Sequence, residues 1–148
     1  MAFLSSLFES PQTKSQRKAA HAATLLRKQA ARDLSVEVHV LIQCLNAAGQ
    51  LHQEVFAAGS MELAGQFVAA QAKPRELLER VGRAGPQLER EIEDRQRNAA
   101  SAADFEALAT FELELRRGFN QMKEEVKQYL ASLGSLNSRA RQFLRGDA

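Results

Sequence analysis

The sequence predicts an all-α protein, an antiparallel bundle of three long, coiled-coil-like helices. Three observations carry that prediction. Strong helix formers (Ala, Leu, Gln, Glu and Arg) dominate a chain of 148 residues that has no Trp and only 3 Pro. Apolar residues recur at alternating spacings of three and four over long stretches. The few strong breaks divide the chain into segments of similar length, roughly 13–58, 60–98 and 101–145, and short connections make sequence neighbours antiparallel. The length suits one domain, assigned to 12–146 and preceded by a short apolar segment over 1–11.

The first long segment has no proline between Gln12 and Ala58, and its only glycine is Gly49. Leu34, Val38, Leu41, Leu45, Ala48, His52 and Val55 mark one helical face. Residues 34–40 also alternate as a strand would. The helical pattern continues for three further turns, however, and a lone short strand would have no partner.

In the second segment Ser60 is placed to cap a helix, with Glu62 in the first turn favoured by the helix dipole. Pro74 and Pro86 are expected to kink or break this helix, since each removes a donor and crowds the preceding turn. A fold-back there would convert the bundle to four helices. The pairs Glu76–Arg80, Glu79–Arg83, Glu91–Arg95 and Glu93–Arg97 stand at i,i+4 and mark a solvated face.

The third segment opens on Ser101 with Asp104 three residues on, close to a capping box. Behind it runs the most regular pattern in the chain: Phe105, Leu108, Glu112, Leu115, Phe119, Met122, Val126, Tyr129, Leu133, Leu136, Ala140 and Phe143. Spacings of three and four alternate throughout, a 3.5-residue period that implies left-handed packing against other helices. These positions are the expected helix–helix interface. The seam is longer than one compact bundle face needs, which favours a homo-oligomer, a dimer first. Glu112 is its one flaw. A carboxylate buried there requires a partner, and an up-down-up arrangement brings Arg27 and Lys28 to its level; the alternative is a Glu112 that reaches solvent at the edge of the bundle.

Chemistry is sparse. His21, His39 and His52 lack chelating spacings, and the single Cys44 has no neighbouring base to activate it. No catalytic residue, metal ligand or cofactor is assigned. No apolar run approaches the ~18 residues of a membrane span, and the first residues make a poor signal peptide, so the expected location is cytoplasmic with membrane association as an option.

Charge is uneven. Over residues 1–33, Lys14, Arg17, Lys18, Arg27, Lys28 and Arg32 face only Glu9 and Asp33. Phe3, Leu4, Leu7 and Phe8 fall on one face if residues 2–9 are helical. An apolar face followed by cations suits capping of the bundle's end, a docking partner or an anionic membrane surface. Phe3, Leu4, Leu7, Phe8, Lys14, Arg17, Lys18, Arg27 and Lys28 are therefore the expected contacts. The basic residues are not interleaved with aromatics, which argues against nucleic acid. The leading expectation is a non-enzymatic adaptor or scaffold acting through protein–protein contacts and self-association. A peripheral membrane protein is second, and a helical bundle carrying a ligand or metal is third.

Overall fold

The computed structural model describes residues 9–146 and is an all-α three-helix bundle: α1 (Pro11–Ala57), α2 (Met61–Asn98) and α3 (Ala102–Leu144). No strand occurs among the described residues, and residues 34–40 are helical.

Local chemistry sets each helix end. The Ser10 hydroxyl accepts the Thr13 amide at 3.1 Å and Pro11 occupies the first helical position, where its missing N–H costs nothing. At the other end of α1, Gly59 takes φ 89°, a left-handed conformation that suits glycine. The Ser60 amide donates to the Val55 carbonyl at 2.9 Å and the Gly59 amide to that of Phe56 at 3.0 Å, closing a Schellman motif. Ser60 then caps α2, its hydroxyl accepting the Leu63 amide at 3.4 Å.

The box at α3 closes in both directions. Ser101 Oγ accepts the Asp104 amide at 3.1 Å, while Asp104 Oδ2 accepts the amides of Ser101 and Ala100, each at 3.1 Å. Those hydrogen bonds, to the Ser101 amide first, hold the Asp104 carboxyl below its usual range. The carboxylate therefore stabilises the folded chain above the unfolded Asp value, and that contribution disappears as pH falls through the lower folded value. Acid titration of stability from about pH 4 downward is expected to be shallower in Asp104→Asn than in wild type, followed by helical circular dichroism in denaturant. Identical profiles would remove the box from the acid response.

Of the two outcomes expected at the prolines, a kink or a break, the break does not occur. Neither Pro74 nor Pro86 breaks α2, which runs unbroken from Met61 to Asn98, so there is no fourth helix among the described residues. Pro74 is among the fully buried side chains, so its ring contributes apolar packing that offsets the lost amide. Pro86 follows Gly85, which has no Cβ for the proline ring to strike, and Gly82 stands at its i−4 position.

The described residues fall into two compact units, one of 9–33 with 84–121 and one of 34–83 with 122–146. Their cores differ in kind. In the first, the buried apolar side chains are Ala20, Ala23, Ala30, Ile92 and Leu108, mostly small, alongside buried Thr24, Arg27 and Glu112. In the second, Leu34, Leu41, Leu45, Val55, Phe67, Leu77, Val126, Leu133 and Leu136 are all buried, and the buried polar residues are Gln71 and Asn137. Hydrophobic burial thus supports the second unit far more than the first.

Candidate functional site

The most organised polar arrangement lies in the first unit, around Glu112. Its position in the α3 stripe turns it inward, and its side chain is fully enclosed. Arg27 Nε of α1 donates to Oε2 at 2.6 Å, Thr24 Oγ1 of α1 to Oε1 at 3.1 Å, and Gln96 Nε2 of α2 to the same oxygen at 3.0 Å. All three helices therefore meet on one carboxylate. Arg27 is itself buried, while Lys28 is exposed. The sequence pointed to Arg27 through helix level alone. Thr24 carries no comparable signal, and Gln96 becomes a neighbour only through the α2–α3 connection. Chemically this is a fixed, charge-assisted hydrogen-bond junction. Both carboxylate oxygens hold donors and solvent is excluded, which suits specifying alignment rather than moving protons.

Nearby, Arg95 places its guanidinium 4.0 Å from the centre of the Phe111 ring and also pairs with Glu91 at 3.2 Å. A groove of about 290 Å³ opens beside the junction, lined by Ala20, His21, Leu25, Lys28, Phe105 and Leu108 among others.

The stripe faces inward in each unit. Leu108 and Glu112 are buried and Phe105, Leu115 and Phe119 half-buried in the first; Val126, Leu133, Leu136 and Ala140 are buried and Met122 and Tyr129 half-buried in the second. Phe143 at the end is exposed. The Tyr129 hydroxyl donates to Glu125 at 2.9 Å, a hydrogen bond that pushes the phenol pKa up.

Of the expected contact residues, Phe3, Leu4, Leu7 and Phe8 lie outside the described residues. Lys14, Lys18 and Lys28 are exposed. Arg17 is drawn onto Glu9, with Nε 3.1 Å from Oε1, and Arg27 is consumed by Glu112. The basic stretch is thus divided between structural and outward-facing cations, a division that linear charge counting does not reveal.

In the second unit, His52 stacks on Phe67, ring centres 6.0 Å apart and 15° from parallel. Cys44 is half-buried and free. Burial pushes its thiol pKa up, with Arg141 opposing, so the thiolate is disfavoured. Asn137 Nδ2 donates to the Cys44 carbonyl at 3.4 Å. Among the described residues no group of three His, Cys, Asp or Glu side chains is placed to hold a metal ion, and no helix is long and apolar enough to cross a membrane. No family model matches the chain, and no curated protein or solved structure matches it either.

Proposed function

We propose that this protein is a helical adaptor or scaffold that works without catalysis, through protein–protein contact that includes self-association. The observation that carries the reading is a second apolar seam, on the outside of α2 within the second unit. Met61 and Val68 are 65% and 62% exposed, although they are as apolar as the side chains of the core. With Gly65 and Ala72, both also exposed, they stand at spacings of four, three and four. That is a short apolar strip left exposed in its own unit, and its small residues let another helix approach closely. A second copy of the chain offers the same self-complementary surface, as a two-fold dimer requires.

Light scattering after size exclusion at tens of micromolar is expected to give a dimer for wild type and a monomer for Met61→Glu/Val68→Glu, with helicity unchanged. A monomeric wild type, or a double variant that stays dimeric, would sink the reading.

A further inference from the structure

The first half of α1 carries a one-signed outer face. Lys14, Lys18, His21, Leu25, Lys28 and Arg32 follow one another at spacings of four, three, four, three and four, and all are exposed. At 3.6 residues per turn they fall within about 40° of one line along the helix. The buried Ala20, Ala23, Arg27 and Ala30 occupy the opposite side. From Lys14 to Arg32 this line is about 27 Å long at 1.5 Å per residue.

No acidic residue interrupts it. The only acid in α1 up to this point is Asp33, off the line, where it accepts a hydrogen bond from Gln29 at 2.9 Å. Pairing follows the same geometry. The two arginines off the line, Arg17 and Arg27, are neutralised by Glu9 and Glu112. Lys14, Lys18, Lys28 and Arg32 have no ion-pair partner among the described residues.

We infer that this line is a docking face for an anionic lipid bilayer, with Lys14, Lys18, Lys28 and Arg32 against headgroups. Charge complementarity alone would admit any polyanion. Two apolar features favour a bilayer. Leu25 sits in the middle of the line at 54% exposure. Side chains of this kind gain by entering the headgroup–acyl boundary and gain little against a phosphodiester backbone. Phe3, Leu4, Leu7 and Phe8 also precede the first cation closely in sequence. The face belongs to the first unit and the α2 strip to the second, so different substitutions test lipid binding and dimerisation.

The full chain is tested by co-sedimentation with phosphatidylcholine vesicles, with and without about 30% phosphatidylserine, at low salt where the field is least screened. Wild type is expected to pellet with the anionic vesicles alone. Lys14→Gln/Lys18→Gln/Lys28→Gln/Arg32→Gln is expected to weaken partitioning by about fivefold per cation, several hundredfold in all. The equal-charge control Arg83→Gln/Arg116→Gln/Arg117→Gln/Arg139→Gln should lose less than about tenfold, the residue of bulk charge. Leu25→Gln keeps every charge and should still lose several-fold. A wild type that stays in the supernatant overturns the inference. So do equal losses in the two four-site variants, an unaltered Leu25→Gln variant, or tighter binding to a short DNA duplex than to the vesicles.

Discussion

Glu112→Ala is expected to lower stability by about 3–5 kcal/mol, because it leaves the buried Arg27 guanidinium without its counter-charge. Arg27 Nε lies 2.6 Å from Glu112, and neither side chain has more than 7% of its area in solvent. Thr24 and Gln96 lose their acceptor in the same step. The Coulomb attraction of the pair is offset by the cost of desolvating two ions, so its net contribution is small. Removing one member alone exposes the whole penalty. It follows that Arg27→Met/Glu112→Leu should recover most of the loss, even though it removes twice as many polar groups. Urea unfolding of the two variants beside wild type checks both statements. A loss below about 1 kcal/mol for Glu112→Ala would mean that water reaches the carboxylate. The surroundings make the prediction sharper. The first unit has few large buried side chains, so little hydrophobic burial is present to absorb the damage. Amide exchange should accelerate in residues 11–33 and 84–121 before it does so elsewhere.

Phe67→Ala is expected to cost a similar amount, about 3–5 kcal/mol, by a different mechanism: lost transfer energy plus the cavity left behind. Phe67 is fully buried in the second unit and its ring stacks on His52. Phe56 supplies the control in the same unit. It is the same residue type at 57% exposure, so Phe56→Ala should cost less than about 1 kcal/mol. Denaturant midpoints of the two variants give the comparison, and similar losses would contradict the burial assigned to the two rings. The contrast with Glu112 is instructive for the molecule as a whole. One unit is held chiefly by apolar volume, and the other depends on a satisfied polar junction. The polar junction specifies alignment, because only one register brings Thr24, Arg27 and Gln96 onto one carboxylate.

The sequence alone determined the all-α class, the approximate ends of the three long segments and the face that α3 turns inward. These are local properties. Ser10, Ser60 and Ser101 cap the turns that follow them, Gly59 supplies the left-handed residue between α1 and α2, and side-chain spacing fixes which stripe faces inward. Only the tertiary structure decided three further matters. Pro74 and Pro86 remain inside one continuous helix, because burial of the Pro74 ring and the missing Cβ of Gly85 outweigh a propensity that acts on isolated segments. Glu112 takes donors from α1 and α2 at once, a meeting of residues 16 to 88 positions away that no spacing rule encodes. The cations of α1 divide into paired and outward-facing sets, because a charge's availability depends on what the fold places beside it. Propensity and periodicity act within a few residues along the chain. Neutralisation, desolvation and register are settled between helices.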